Sequence, residues 1–309
     1  NVLSNAFTLA TVPGAIASVG GVPVFVGVTE NLTIDLNDLE VKLSLASVLL
    51  LSHMRGHICD MDRLTAMCDA AGVVVIEDCA HTMGAAWAGI ASGRHGTIGC
   101  YSCQTYKHVN SGEGGFLVTD DPDLAAASVI LSGSYMLFEK HIAAPPVEAF
   151  VDLKYTTPNI SGRMDNLRAA ILRPQIKDLA KQCARWNKRY YSLELGLRDI
   201  PGLTLVQRHA KETIVGSSIQ FLLLDWLSSD IQEVIARCGE RGVELKWFGA
   251  PEPVAFTSRY DSWHYAPTKR MNASDRILAG IVDMRVPLTF SLEDCAVISR
   301  IIRAEVSAV

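Results

Sequence analysis

Three short apolar runs near the start of the chain constrain the fold more than any other feature. They are VPVFVGV at 22–28, SVLLLS at 47–52 and VVVIED at 73–78. Nearly continuous apolar strands of this length are typical of a parallel sheet that is covered on both faces. The segments between them, DLNDLEVKL and MDRLTAMCDAAG, repeat apolar residues at helical spacing. Because strands and helices alternate, the sequence predicts right-handed βαβ units and an α/β fold with a mainly parallel sheet.

The second half of the chain has a different pattern. A stripe of apolar residues runs through 164–197 at a spacing of three to four, and it predicts one long core helix or two helices joined at Pro174. Beyond it, strand-like and helical segments alternate up to the final helix in LEDCAVISRIIRA. We therefore predict a large α/β domain at 1–180 and a smaller α+β domain at 181–309. The irregular segment 133–160 is predicted to be a surface excursion.

Composition and charge exclude several classes of function. The formal net charge of −5 provides no broad basic field for nucleic acid or acidic lipid, and no run approaches the roughly 18 apolar residues of a membrane span. The eight cysteines form no regular framework. Cys100 and Cys103 are spaced like a redox or metal pair but lie in a strand pattern, so we expect buried free thiols and a cytoplasmic protein.

Three polar residues at the ends of predicted strands indicate the chemistry. Asp78 ends the buried run VVVIED, Ser102 ends another strand, and Lys107 lies between that strand and the glycine-rich turn GEGG. Ligands of open α/β sheets bind at the carboxyl ends of the strands. A carboxylate suits a pyridinium nitrogen, a hydroxyl suits a phosphate, and an amine suits an aldehyde. Singly, each residue is more often a helix cap or a surface group, but together they describe pyridoxal 5′-phosphate, PLP.

The spacing of these residues resembles the DegT/StrS family of PLP-dependent sugar aminotransferases, which have the fold-type I architecture. The resemblance extends to the segments LSHMRGHICDMD and GRMDNLRAAILRPQI, and it covers most of 7–180 and, more weakly, the rest of the chain. The residues that match the family pattern are Glu77, Asp78, Ala80, His81 and Gly84, then Ser102 and Lys107, then Gly112, Glu113, Gly114 and Gly115.

The resemblance implies a role for each matching residue. Lys107 would hold PLP as a Schiff base and move the proton, and Asp78 would keep the pyridine nitrogen protonated. His81 would lie near the cofactor's phenolic oxygen, and Ser102 would bind the phosphate. The resemblance also implies a homodimer with shared active sites, in which a residue of one subunit reaches the other's cofactor. Ser161 occupies the position where relatives carry asparagine for that purpose, with Asn159 nearby.

Two further departures from the family pattern are visible. Relatives often stack an aromatic residue on the cofactor near the start of this region, where this chain has Leu9, with Phe7 close by. Relatives also carry about fifty more residues upstream, so we expect the sequence to be a fragment or to lack its N-terminus.

The sequence thus predicts a transaminase that moves an amino group from an amino acid, glutamate in the first instance, to a keto-sugar that is nucleotide-linked. The alternatives are a non-transaminating PLP-binding relative, either dehydratase-like or regulatory, and an inactive truncated copy. Dehydratase relatives replace the lysine by histidine, whereas this chain keeps Lys107 and follows it with His108.

Overall fold

The computed structural model describes residues 1–134, 136–252, 259–267 and 269–309. Its strands are β1 Val2–Asn5, β2 Pro23–Val26, β3 Val48–Ser52, β4 Val74–Asp78, β5 Ala86–Trp87, β6 Ile90–Ala91, β7 Ile98–Ser102, β8 Gly115–Val118, β9 Thr204–Leu205, β10 Glu212–Thr213, β11 Ser218–Leu222, β12 Lys246–Trp247 and β13 Ile281–Arg285. Its helices are α1 Thr11–Ser18, α2 Leu36–Lys42, α3 Met61–Ala71, α4 Pro122–Leu131, α5 Leu153–Thr156, α6 Asn166–Lys177, α7 Leu179–Leu197, α8 Ser228–Glu240, α9 Asn272–Ala279 and α10 Leu292–Val306.

The main sheet has six strands in the order β2-β1-β3-β4-β7-β8. Only β8 runs antiparallel to its neighbour, so the prediction of an α/β fold with a mainly parallel sheet is confirmed. The sequence reading missed β1, which lies inside the sheet between β2 and β3. Its four residues, VLSN, are too few to show a period, and only pairing with two neighbours makes them a strand.

A second, four-stranded sheet has the order β12-β13-β11-β9 and is antiparallel throughout. Helices α7, α8 and α10 pack around it through a buried cluster that includes Leu193, Phe221 and Ile302. The main sheet has its own cluster, built from residues such as Leu3, Leu49 and Val75. The boundary between domains at 180 remains a prediction, and these two clusters support it because most members of each come from one side of that position.

The predicted break in the long helical stretch is in the wrong place. Helix α6 continues through Pro174, and the interruption comes at Asp178, where α7 begins. Proline in a helix interior removes one backbone donor and crowds the carbonyl four residues earlier, at a cost of about 3 kcal/mol that the rest of the helix offsets here. The interpretation of the stripe as core also fails at Ile176, whose side chain is exposed.

The segment 133–160 is less irregular than the sequence predicted. It contains two 3₁₀ turns, Phe138–Lys140 and Val147–Phe150, and the single-turn helix α5. Phe150 is buried against Phe138, with ring centroids 4.6 Å apart, and both belong to a small cluster with α4. This segment and 247–265 are rich in aromatic and polar residues, a composition that suits either a sugar or the packing of an interface, and residues 135 and 253–258 lie outside the described residues.

In the described part of the chain, we find no helix that is both long and apolar enough to span a bilayer. All eight cysteines are free, and seven of them are buried. Burial raises the pKa of the thiols of Cys100 and Cys103. At Cys100 the negative charge of Asp78 adds to this effect. Neither thiol is therefore an activated nucleophile.

Candidate active site

The carboxyl ends of three adjacent strands place the predicted polar residues along one edge of the main sheet. Asp78 ends β4, Ser52 ends β3 directly beside it, and Ser102 ends β7 on the other side. The parallel register pairs Ser52 with Asp78 and Asp78 with Cys100. This edge is where open α/β sheets bind ligands, so the candidate residues lie at the strand ends where the sequence predicted them.

The carboxylate of Asp78 is held by hydrogen bonds from a neighbouring side chain and from the backbone. The hydroxyl of Ser52 donates to Oδ2 at 2.8 Å, and the backbone N–H of Ala80 donates to Oδ1 at 3.1 Å. Ser52 is itself held by the buried Asn5, whose Oδ1 accepts the Ser52 backbone N–H at 2.8 Å. The hydroxyl of Thr8 donates to the Ser52 hydroxyl at 2.8 Å. These bonds fix the direction of the carboxylate and leave it half-buried.

Lys107 and His81 form the second half of the site. The amine Nζ of Lys107 lies 2.9 Å from Nε2 of His81. Burial lowers the pKa of Lys107 to about 8, Asp78 opposes that change, and the charges of Arg55 and Arg285 add to it. Burial and then the charge of Lys107 keep the pKa of His81 well below its usual range. The histidine is therefore neutral, and a useful fraction of the lysine is unprotonated near neutral pH.

The loop that carries Lys107 is anchored on both sides. The next residue, His108, bonds through Nδ1 to the carbonyl of Met83 at 3.0 Å and through Nε2 to the hydroxyl of Ser217 at 2.7 Å. Further along, the amide side chain of Gln175 on α6 accepts from the Asn110 N–H at 3.0 Å and donates to its carbonyl at 2.7 Å. These contacts hold the lysine loop against other parts of the chain, so its amine has a fixed position.

The glycine-rich turn after the lysine is a packing requirement. Gly114 has φ of +130°, and a Cβ there would lie 2.8 Å from Cε of Met164. At Gly115 a Cβ would lie 2.6 Å from the carbonyl oxygen of Tyr101, on the strand that Gly115 pairs with. Side chains at these positions would push the turn away from β7 and carry the lysine with it.

A buried pair beneath the site was not predicted as functional. Glu77 accepts from Nε2 of His53 at 2.9 Å and from the backbone N–H groups of Gly93, His95 and Gly96 at 2.7–2.8 Å. Burial raises the pKa of Glu77, but the hydrogen bond and charge of His53, together with these N–H groups, lower it to about 2. The pair locks the end of β4 to the loop before β7 and so supports Asp78 from below.

A cluster of three cations beside the lysine was also missed. Arg55 pairs with Asp283 through an Nη2–Oδ2 distance of 2.8 Å, and both side chains are buried. Lys246 lies directly opposite Asp283 in the β12–β13 pair, and Arg285 follows two positions along β13. The contacts join segments that are remote in sequence, so no local sequence motif predicts them. The cluster carries more positive charge than Asp283 neutralises.

Two residues assigned by resemblance lie apart from this site within one chain. Asn159 and Ser161 are exposed, and Oδ1 of Asn159 accepts the backbone N–H of Ser161 at 2.9 Å. Their described neighbours lie at the turn after α4, where Ile160 donates to the carbonyl of Leu131 at 2.9 Å. Neither residue makes a described hydrogen bond to Ser102 or Lys107, and their role in the site stays a prediction.

The aromatic residue near the start of the chain does not offer a stacking face. Phe7 is 2% exposed and meets Phe248 edge to face, with centroids 5.2 Å apart. Leu9 is partly buried in the same cluster. Ser102 remains available at the strand end, where its hydroxyl accepts only a long hydrogen bond of 3.3 Å from the N–H of Gln104 in the described contacts.

Comparison with known proteins places these features in a family. The model of the DegT/DnrJ/EryC1/StrS aminotransferase family matches residues 1–303. The chain therefore belongs to this family.

Two curated relatives and one solved structure illustrate the similarity. Protein MosB of Rhizobium meliloti is 35% identical over 127 residues, which is 40% of this chain and 25% of MosB. A putative L-glutamine:3-amino-2,3-dideoxy-scyllo-inosose aminotransferase of Streptomyces kanamyceticus is 27% identical over 293 residues, which is 92% of this chain and 68% of that protein. The structure of Helicobacter pylori PseC, an aminotransferase of pseudoaminic acid biosynthesis, superposes with a TM-score of 0.84 at 15% identity and covers 100% of this chain and 80% of that one.

The fold is accordingly that of the fold-type I aminotransferases, as the sequence predicted. The matched part is a quarter of the length of MosB and, for the erythromycin biosynthesis protein EryC1, half of its length.

Proposed function

We propose that this protein is a PLP-dependent aminotransferase that moves an amino group from an amino acid to a keto-sugar. The observation that carries the proposal is the environment of Lys107, an amine with a pKa of about 8 that faces a neutral His81 at 2.9 Å. A lysine becomes a nucleophile when burial and nearby cations lower its pKa. Both causes act here, in a family of aminotransferases.

The residues fit PLP as a bound group. Asp78 raises the pKa of Lys107, so the two groups feel each other's charge, yet no ion pair within 4 Å joins them among the described residues. A carboxylate and an amine that face a common space without touching leave room for a ring between them. When bound, PLP supplies an electron-withdrawing pyridinium that stabilises negative charge at the substrate carbon.

Each residue then has a definite task. Asp78, fixed by Ser52 and Ala80, would accept a charge-assisted hydrogen bond from the pyridine nitrogen and so keep that nitrogen protonated. Lys107 would hold the cofactor through its aldehyde, with loss of water, and its free amine would move a proton at Nζ. His81 accepts the Arg55 backbone N–H at Nδ1, 3.4 Å away, so Nε2 carries the ring proton that faces the amine. Ser102 donates to the phosphate.

The substrates are proposed from the family and its relatives. Glutamate, or glutamine as in the names of several relatives, is the proposed donor, and a keto-sugar is the proposed acceptor. DesI, a protein of similar fold, has a structure in the presence of its TDP-sugar product, which supports a nucleotide-linked acceptor. A cytoplasmic location would supply such substrates, and it remains a proposal.

The function is tested by spectroscopy on the purified chain. Incubation with PLP should produce an absorbance band at the boundary between the ultraviolet and the visible range. This band should be lost when the protein is denatured. Addition of glutamate or glutamine should convert this band to that of the amino form of the cofactor and release the matching oxo acid. Absence of the band contradicts cofactor binding, and a stable band that no amino donor changes favours the non-transaminating alternative.

We also propose a homodimer with shared active sites. Helix α6 leaves Leu167, Ile171 and Ile176 exposed, the first two at a spacing of four, and Ile160 is exposed shortly before the helix begins. Apolar side chains on one face of a surface helix are typical of a subunit interface. The face adjoins Asn159 and Ser161, which find no partner near the cofactor site in their own chain. In a two-fold dimer they would donate to the phosphate bound by the other subunit.

A mixed-dimer experiment tests this arrangement. Lys107→Ala subunits should be inactive, and subunits with Asn159→Ala and Ser161→Ala should be strongly impaired, because each lacks one half of a site. Subunit exchange between the two should restore about one intact site per heterodimer. Activity should return on mixing, as measured by release of oxo acid. A mixture that stays inactive, or an active protein that sediments as a monomer, would refute the shared site.

A further inference from the structure

The side chain of Arg55 is buried and incompletely bonded. It is 8% exposed, pairs with Asp283 through Nη2 and lies over the ring of Phe248, with Cζ 5.5 Å from the centroid. Its Nε, also buried, has no hydrogen-bond partner among the described residues. A buried donor on a guanidinium is unfavourable when it is left unpaired, and a ligand that accepts from it removes that cost. The arginine therefore has a donor left for something that enters the site.

The backbone at Arg55 supports a functional reading. Its φ of 56° and ψ of 20° are left-handed, a conformation that is unfavourable for a residue with a Cβ. Strain of this kind is concentrated at ligand-binding positions. The turn brings the Arg55 N–H to 3.4 Å from Nδ1 of His81, whose Nε2 contacts Lys107. The arginine is thus one residue removed from the reacting amine.

Two more cations lie around the same space. Arg285 has its Cζ 3.7 Å from the ring centroid of Tyr106, the residue before Lys107. Lys246 has its Nζ 4.5 Å from the centroid of Phe248, the ring that Arg55 also covers. Asp283 is the buried counter-ion, and it already accepts from Arg55 at 2.8 Å and from Gln220 at 2.6 Å.

The charges in this cluster do not balance. Burial and the charge of Arg55 lower the pKa of Lys246 to about 8, and they also lower the pKa of Arg285. Mutual repulsion on this scale is relieved when an anion binds among the cations. The cluster, defined as Arg55, Lys246 and Arg285, is therefore built to receive a negative group beside Lys107.

We propose that Arg55 binds the α-carboxylate of the amino-acid donor, with Lys246 and Arg285 supplying the surrounding positive field. The donor's nitrogen takes the place of the Lys107 amine, and its carboxylate carbon lies roughly 2.5 Å from that nitrogen by bond geometry. A guanidinium next to the lysine is the group that such a carboxylate meets first. The inference rests on the proposed aminotransferase function and identifies where its donor is held.

Calorimetry with glutarate tests the inference. Glutarate is a dicarboxylate without an amino group, so it binds without reacting, and it can be titrated into the chain with or without PLP. Wild-type protein should bind it. Arg55→Gln should weaken binding about 10- to 100-fold, the loss typical of a charge-assisted hydrogen bond. Arg55→Lys, which keeps the charge, should recover part of the affinity.

Two controls keep the result interpretable. Arg241→Gln removes a cation from a surface ion pair with Glu305 and should leave glutarate binding unchanged. Arg55→Gln combined with Asp283→Asn removes both buried charges, so a folding defect caused by an unpaired Asp283 is separated from loss of the ligand contact. Thermal melting confirms that each variant is folded, and the double variant should bind as weakly as Arg55→Gln.

The outcomes are distinct. Wild-type protein that does not bind glutarate, or Arg55 variants that bind it normally, overturn the inference while the PLP band and transamination can still stand. Pyrophosphate that binds through Arg55 when glutarate does not overturns the donor assignment in favour of an acceptor phosphate. Loss of PLP attachment at Lys107 would refute the proposed function, and the glutarate titration of PLP-free protein would still decide the role of Arg55.

Discussion

Lys107→Ala is expected to abolish the covalent attachment of PLP and to lower transamination by about 10²- to 10⁴-fold or more, the range for loss of a general acid–base. The physical reason is the position of this amine, which faces His81 and has a pKa of about 8. The measurement is reduction with borohydride in the presence of PLP, followed by peptide mapping. Wild-type protein should carry the adduct at Lys107, and the variant should carry none there.

Lys246 is a second lysine to which PLP could attach, so peptide mapping has to distinguish two candidates. Its pKa is also lowered to about 8, chiefly by burial, so it is the second lysine with a free amine near neutral pH. Lys246→Gln should keep the adduct at Lys107, because the carboxylate opposite Lys246, that of Asp283, is already paired with Arg55. An adduct that maps to Lys246 in wild-type protein would show that Lys246 holds the cofactor and that the assignment of Lys107 is wrong.

The placement of the candidate site residues at strand ends could be predicted because it depends on local sequence. Asp78 and Ser102 follow apolar strands, and the carboxyl end of a strand is readable from the run that precedes it. The position of Lys107 follows from its distance to that strand and to the glycine turn. Because parallel strands end at one edge, their placement together needed only the βαβ order, which the first apolar runs already indicated.

The parts that were missed depend on contacts between remote segments. Strand β1 is defined by its pairing with both neighbours rather than by a pattern of its own. The Arg55–Asp283 pair joins a turn after β3 to β13 at the far end of the chain. The predicted helix break at Pro174 was wrong because proline usually interrupts a helix, whereas here α6 passes through it. No local periodicity encodes any of these three features.

Asp78→Asn is the second change for which a large effect is expected. The pyridinium is stabilised by an adjacent carboxylate, and an opposite charge in contact shifts a pKa by about 1–3 units. An asparagine amide has no negative charge, so the protonated ring should become about 10- to 1,000-fold less populated at neutral pH. Transamination should fall by a comparable factor, while Lys107 and Ser102 still allow PLP to attach.

Asparagine has nearly the same shape as aspartate, so the effect of Asp78→Asn can be attributed to the lost charge. The asparagine oxygen can still accept the Ala80 N–H in the place of Oδ1, while its NH2 takes the place of Oδ2 and can donate to the Ser52 hydroxyl, so the side chain keeps its orientation. Asp62→Asn is the matched control, since that carboxylate pairs with Lys211 on the surface. Rates of oxo acid release and the amount of bound PLP are measured for both variants. Near-normal turnover of Asp78→Asn, with PLP bound, would mean that Asp78 only organises the end of β4 and that the ring nitrogen is protonated by another group.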